Sequence, residues 1–473
     1  MHKYKYLMQN TILLTISQFG SKFLAFILVP LYTSVLSTED YGIADIVTTS
    51  VTLLIYICTF YIGSAVLRFS LEKPKHAKYT LKIALKILSY GSLVVLLGLF
   101  VLWQSNLLEV SNYVFIFVLG LFIAEGLEGI LYQYLRGIDK VKVMAICSFA
   151  STLFRLFATL ITLLALKWGV FGYLFSMVVG PLLASLIGLF FCRDVETEPL
   201  SESDVKCLQK EMIAFSIPTA ISQLGWWINN SIDRYIVVWL KGAALNGIYS
   251  MAYKIPSIMS MICNIFCQAW GISAIKEFDE QDKDGFYANV YSAFNAGLSI
   301  VCVLIILFNV PISIILFKND FITAWRYSSF LVLAMEFSGL ASFLSGIFGA
   351  VKKNSILAYS TAVAAIINIL LNIILIPKLG GSGAAIATGI SFYACFMVRL
   401  VLSRKYIRFK HNFVADHIVY LLIIVQIFME HTQNHCYWGQ ILVVMIILGI
   451  YRQYLAVYIS KVHSILKKYK VVK

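Results

Sequence analysis

The string "WWINNSIDRYIVVWLKG", residues 226–242, sets an acid and a base side by side, Asp233 and Arg234, within a long apolar run. Other apolar runs carry the cations Lys22, Arg155 and Lys254 and the acids Asp45, Glu125, Glu128 and Glu336. A lone Asp or Arg at the centre of a hydrocarbon layer costs roughly 2.5 to 3.5 kcal/mol, so such residues face water, pair, or do work. Cations gathered in one place suit an oxyanion such as a lipid pyrophosphate. Arginine gives phosphate two parallel N–H bonds, and lysine gives a point charge. The acids suit reversible uptake of H⁺ or Na⁺, and no other cofactor is expected. For Asp233 the plain alternative is neutralisation of Arg234. For Glu125 and Glu128, one turn apart, it is a structural pair.

Helical spacing is what would bring these groups together. Thr11, Thr15, Gln18 and Lys22 are spaced 4, 3, 4. Asp45, Thr49, Thr52, Tyr56, Thr59 and Gly63 keep that rhythm, as do Ser216, Thr219, Gln223, Trp226, Asn230 and Asp233. Lys254, Ser257, Asn264 and Gln268, with Ser260 nearby, form a fourth set. Each set falls on one helical face. The expectation is a wet cavity between two helix bundles. Lys22, Arg155, Arg234 and Lys254 would bind substrate there, and Gln18, Asp45, Gln223, Trp226, Asn230 and Asn264 would line it. Asp233, Glu125, Glu128 and Glu336 are the candidates for ion coupling, Glu125 and Glu128 first among them. The alternative is hydrogen bonding across a packed bundle. Arg68, Arg399 and Arg452 lie nearer span ends and are expected to snorkel.

The elements that carry these stripes are membrane helices. Of 473 residues 60% are hydrophobic and 13% charged, and the mean hydropathy is +0.83. Windows of about 20 apolar residues recur, each enough to cross a roughly 30 Å core. The period-two pattern of a membrane β-barrel is missing. The reading is an all-α polytopic membrane protein with about 14 transmembrane helices. Expected spans are 11–36, 42–68, 81–103, 112–135, 143–166, 169–192, 212–240, 245–271, 287–316, 327–350, 356–376, 382–403, 413–430 and 437–459. Lys and Arg crowd every second link, while the others carry only Lys167, Lys241, Lys318, Arg326 and Lys378. By the positive-inside rule both termini are cytoplasmic, and the first helix serves as an uncleaved insertion signal. The net charge of +14 then faces anionic lipid and needs no nucleic acid. The nine cysteines form no CxxC pair, so neither disulfides nor structural zinc are expected.

The chain also repeats itself. "ISQFG" at 16–20 returns as "ISQLG" at 221–225, and "RGIDKVK" (136–142) with "LKWGVFGYLFSMVVG" (166–180) parallels "FGAVKKN" (348–354) with "PKLGGSGAAIATGIS" (377–391). The offsets are 205 and about 211, six spans apart, so both halves share one orientation. The expected organisation is an N-terminal six-helix bundle (1–192), a cytoplasmic linker (193–211), a C-terminal six-helix bundle (212–403), and two additional helices with a basic tail (404–473).

"FILVPLYTSVLSTEDYGIADIV" (26–47), "SIDRYIVVWLKGAALNGIYSMAYKI" (231–255) and "LIPKLGGSGAAIATGIS" (375–391) resemble the Wzx-type O-antigen and polysaccharide flippases of the multidrug/oligosaccharidyl-lipid/polysaccharide exporter superfamily. The resemblance covers nearly the whole chain. It implies a multi-pass protein of the bacterial inner membrane that moves undecaprenyl-pyrophosphate-linked oligosaccharide repeat units outward by alternating access, for O-antigen, lipopolysaccharide or capsule. Membrane lipids and other polysaccharide-assembly proteins are the implied partners. Asp233, Arg234 and Lys254 match the family string; Lys22 and Arg155 rest on depth and spacing. Two rival classes remain. A related multidrug antiporter shares the fold, but many Lys and Arg residues would repel its organic cations. A polysaccharide polymerase or membrane glycosyltransferase would be an enzyme, with external loops larger than any here. "DKD" (282–284) reads as a solvated turn. "EHTQNHC" (430–436) reads as an exposed loop rather than a metal site, and no Ser/His/Asp set stands out.

Overall fold

The computed structural model describes residues 24, 26–105, 111–192, 197–408, 411–432 and 434–453. It is 87% helical, without a strand among the described residues, and 11 of its 17 helices are long and apolar enough to cross a membrane. The protein is therefore an all-α, multi-pass membrane protein. This follows from the solvent: in hydrocarbon every backbone N–H and C=O must be satisfied within the protein, and the helix does so locally.

Among the described residues, helices fall on the expected stretches; residues 11–23 and 25 of the first expected span and 454–459 of the last lie outside them. They are α1 (Val29–Val35), α2 (Thr38–Cys58), α3 (Gly63–Glu72), α4 (Ala77–Ser105), α5 (Asn112–Gly137), α6 (Val141–Thr159, prolonged by a π-helical turn) and α7 (Gly169–Phe191). Next come α8 (Glu202–Lys241), α9 (Ala243–Ala252), α10 (Pro256–Lys276), α11 (Phe286–Leu307), α12 (Asn309–Leu316), α13 (Trp325–Ala350), α14 (Asn354–Leu379) and α15 (Gly381–Ser403). The last two are α16 (Phe413–Glu430) and α17 (Tyr437–Ile450).

Local chemistry sets several boundaries. Ser37 Oγ accepts the Asp40 N–H at 3.1 Å, and Glu39 and Asp40 complement the positive end of α2. Asp282 accepts the N–H groups of Tyr287 and Ala288, both at 2.9 Å, so the "DKD" turn caps α11. Three expected spans are broken where their apolar pattern runs on; the ninth divides at Phe308, between α11 and α12. The second splits at Phe60 and Tyr61, both with left-handed φ (52° and 50°). The eighth splits before Pro256, which has no N–H to give a continuing helix and fits the first position of a new one.

The chain forms two compact units. One runs to Tyr235 and includes Gly242–Gly247; the other comprises Ile236–Lys241 and the residues from Ile248 on. In the first, α5 is the central helix, packed against α2, α3, α4 and α7, with α6 on α7. In the second, α13 is the most buried span and packs against α10, α11 and α15, with α14 on α15. Helices α16 and α17 pack on each other and on α11.

The first unit contains a backbone contact with an internal symmetry. A Cβ on Gly42 would overlap the Ala243 carbonyl, and one on Gly247 would overlap the Thr38 carbonyl. Residues 38 and 243, and 42 and 247, are each 205 apart, the offset of the "ISQ" repeat. The starts of α2 and α9 thus meet as repeat-related equivalents, with glycine where neither side has room for a side chain.

Candidate functional site

Arg234 answers to an acid far away in sequence. Its Nη1 donates to Asp45 Oδ1 at 2.8 Å and to Thr49 Oγ1 at 3.3 Å. The second Asp45 oxygen accepts from Asn246 Nδ2 at 3.3 Å, and the same amide reaches the Gly42 carbonyl at 3.1 Å. Trp227 Nε1 donates to the Thr49 carbonyl, and the Ser50 and Tyr235 hydroxyls lie 2.6 Å apart. One face of α2 is thus joined to α8 by charge, indole and hydroxyl groups and to α9 by the Asn246 amide. Asp233, a candidate for ion coupling with neutralisation of Arg234 as the alternative, accepts the Arg234 backbone N–H at 2.9 Å and is buried. The geometry is simple: adjacent residues on a helix point about 100° apart, whereas Asp45 comes from the facing helix.

A second group surrounds Arg155 on α6. Its Nε is buried and has no hydrogen-bond partner among the described residues. Tyr32, Tyr173 and Glu125 are near enough to feel its charge. The Tyr32 and Tyr173 rings meet edge to face at 4.9 Å, and Thr159 donates to Ser176 at 2.9 Å beside them. Glu128, one turn from Glu125, accepts from Tyr132 at 2.8 Å. A half-buried guanidinium with an unused N–H, next to a carboxyl, can take an anionic oxygen without first breaking an ion pair.

The other expected site residues are spread out. Gln18 and Lys22 lie outside the described residues. Gln223 and Trp226 are half-buried on α8, and Asn230 is exposed there, bonded to the Trp226 carbonyl at 2.7 Å. In the second unit Lys254 is half-buried in the break between α9 and α10, and Asn264 is exposed on α10. Glu336 on α13 is fully buried, with Ser299 Oγ donating to it at 2.6 Å.

Three features of the second unit escape the sequence reading. Arg399 does not snorkel. It is 1% exposed, and donates from Nε to Ser360 and from Nη1 to both the Ala341 carbonyl and Ser345, all at 2.8 Å, with Nη2 on Thr361 at 3.0 Å. Small hydroxyl residues on α13 and α14 make it a buried joint. Glu430 is buried rather than part of an exposed loop: Asn309 Nδ2 reaches it at 2.7 Å, and the Ser329 hydroxyl bonds its other oxygen. Asp416 is buried against His411 at 2.6 Å. Spacing could have signalled both acids, since Asp416, Tyr420, Gln426 and Glu430 all fall on the buried side of α16.

With this geometry in hand, comparisons with known proteins place the chain. The pattern of the polysaccharide biosynthesis protein family matches residues 7–270. No curated protein matches. A solved structure of the lipid II flippase MurJ in an inward closed conformation is similar over 95% of this chain and 99% of its own, with TM-score 0.70 and 16% identity. An inward-facing multidrug resistance MATE family transporter of the MOP superfamily covers 81% of this chain and 94% of its own, with TM-score 0.66 and 13% identity. At such identities the likeness is one of fold, and both folds are those of transporters rather than enzymes. The family pattern over residues 7–270 makes the chain a member of the polysaccharide biosynthesis protein family, with a fold similar to those of the MurJ flippase and the MATE transporter.

Proposed function

We propose that the protein flips lipid-linked oligosaccharide repeat units, carried on undecaprenyl pyrophosphate, across the bacterial inner membrane for surface polysaccharide assembly. The observation that carries this reading is Arg155: a half-buried guanidinium with a free N–H, inside a membrane protein of a polysaccharide biosynthesis family. Such a donor suits a pyrophosphate oxygen and disfavours an organic cation. The exposed amides of Asn230 and Asn264 support it, because an amide facing lipid would be costly while one facing a wet path is not. Alternating access needs contacts that form in one state and break in another. The Asp45–Arg234–Asn246 cluster is our candidate clasp, on the side that the charge distribution puts outside the cell. Ion coupling by a buried acid would supply the drive, up to about 2.3 kcal/mol per charge per 100 mV.

The test is to delete the gene and sort lipid-linked sugar units by leaflet. Loss of surface polymer with single units trapped on the cytoplasmic face supports the reading. Single units accumulating unpolymerised on the outer face would mean a polymerase. Unchanged polysaccharide with new drug sensitivity would mean an antiporter.

A further inference from the structure

Helices α16 and α17 bring a line of hydrogen-bonding groups into the second unit. At its cytoplasmic end His411 Nε2 meets Asp416 Oδ2 at 2.6 Å, and His411 Nδ1 meets Ser292 Oγ at 2.7 Å. The other Asp416 oxygen accepts from the Tyr451 hydroxyl at 3.2 Å. Asn295 Nδ2 holds that hydroxyl at 3.2 Å and is itself oriented by Tyr420, whose hydroxyl donates to Asn295 Oδ1 at 2.9 Å. The Ser299 hydroxyl faces Tyr451 and donates to Glu336. From Ser292 to Ser299 the line climbs about 10 Å along α11. It ends at Glu336, whose Oε2 has no hydrogen-bond partner among the described residues although the Cys302 thiol is close to the carboxyl.

We propose that this line exchanges a proton between Glu336 and the cytoplasmic side, running from His411 to Glu336 when Glu336 is loaded from that side and in reverse when a proton driven inward is released to the cytoplasm, so that the last two helices supply the path of the coupling ion. The proposal rests on the ion-coupled flippase reading and names H⁺ as that ion. His411 takes a proton at the membrane border and passes it to Asp416. The Tyr451 hydroxyl, which at rest donates to Asp416, turns to Ser299; it then accepts the proton from Asp416 while giving its own to Ser299, and Ser299 gives its own to Glu336. Each hydroxyl ends neutral, and the net change is one proton moved from imidazolium to carboxylate. Chains of Asp, Glu and His serve this way in membrane pumps because an isolated ion in hydrocarbon is so costly. The same Ser292, His411 and Asp416 do not form a hydrolase triad, since all three are buried and Ser292 also donates to the Ala288 carbonyl at 2.6 Å.

The surroundings leave His411 as the basic group of the line. Facing it and its acids are Tyr291 and Cys302 from α11, Cys263 from α10, and His417 and Tyr420 from α16. Arg404 is occupied over the Phe413 ring at 5.4 Å, and Arg399 is bound to the Ala341 carbonyl. Among the described residues the sole ion pair in this region is His411 with Asp416.

The experiment is a downward pH jump on the full-length protein in lipid vesicles, following the carboxyl infrared band that Glu336→Gln removes. Asp416→Asn and Tyr451→Phe should each slow its appearance by about tenfold or more while leaving its final amplitude intact. Unchanged rates in both variants overturn the proposal, as does the absence of any wild-type band lost in Glu336→Gln. A loss of amplitude in step with rate would show a structural role and overturn it too. No sugar lipid is present in this assay. The flippase reading therefore falls separately, if the deletion strain keeps its surface polymer.

Discussion

Neutralising or exchanging Asp45 and Arg234 separates a clasp from a substrate ligand. The two groups are 2.8 Å apart, with side chains 9% and 19% exposed. At about 4 Å between charge centres and an effective dielectric near 20, their attraction is about 4 kcal/mol. Desolvation offsets much of that, and removing one partner strands the other, at about 3–5 kcal/mol for a fully buried pair. Partial exposure lowers the expectation to about 2–3 kcal/mol for Asp45→Asn or Arg234→Gln. That is roughly 30- to 150-fold in the population of the state that contains the pair. Equilibrium unfolding of purified protein in mixed micelles would measure it. The double variant should cost less than the two singles summed, by at least about 1 kcal/mol. Strict additivity, within about 0.5 kcal/mol, would refute the idea that the pair acts as a unit. The charge-reversed double, Asp45→Arg with Arg234→Asp, then divides the roles. If it recovers stability but not polysaccharide export, Arg234 also binds substrate; if it recovers both, Arg234 is a clasp alone.

Arg155→Ala should abolish export at normal protein level, and Arg155→Lys should restore little of it, because a point charge does not reproduce a planar fork; surface polysaccharide at matched abundance reads this out. Gly247→Ala should destabilise the protein by about 1–3 kcal/mol by driving a methyl into the Thr38 carbonyl, visible as a lower unfolding midpoint, with Gly42→Ala equivalent through Ala243. In the exposed 279–285 turn, the backbone N–H groups of Lys283 and Gln281 hold the Asp279 carboxyl below its ordinary range. A depressed carboxyl stabilises above its unfolded value, so amide-exchange protection there should be full at neutral pH. It should fall only as acid passes below that ordinary range, about pH 4, and Asp279→Asn should remove this pH dependence.

The helices were legible because each span is a long apolar run whose ends carry charge or a capping residue, as Ser37 does for α2. The breaks at Phe60–Tyr61 and before Pro256 were harder, since apolar residues run through both and hydropathy does not report backbone direction. The polar stripes singled out Asp45, Thr49 and Asp233, which the structure places on α2 and α8. They could not pair them, because partners 189 residues apart leave no trace in spacing. Arg399 misled for a related reason. Proximity to a span end suggested a side chain reaching for water, whereas Ser345, Ser360 and Thr361 on neighbouring helices offered it oxygens inside. Asp416 and Glu430 were hidden by position, each at the tip of an apolar run where an acid reads as solvated.

Helix α8 is 40 residues long, about 60 Å, roughly twice the thickness of a bilayer's hydrocarbon core. Near its start the chain is tied down: the Glu198 carboxylate meets Lys75 Nζ at 2.5 Å, the Leu200 N–H reaches the Tyr79 hydroxyl at 3.2 Å, and Glu211 meets Lys73 at 3.4 Å. Near its other end Arg234 holds Asp45. One rod therefore runs from an anchorage near its start to a fastening near its other end, and a tilt at either end is felt at the other as leverage. The ring of Pro218 leaves one place along the rod where a backbone hydrogen bond is missing and bending is cheap. Such a lever would couple its two ends mechanically: a shift of the proximal anchorage would strain the distal fastening without any ligand passing between them.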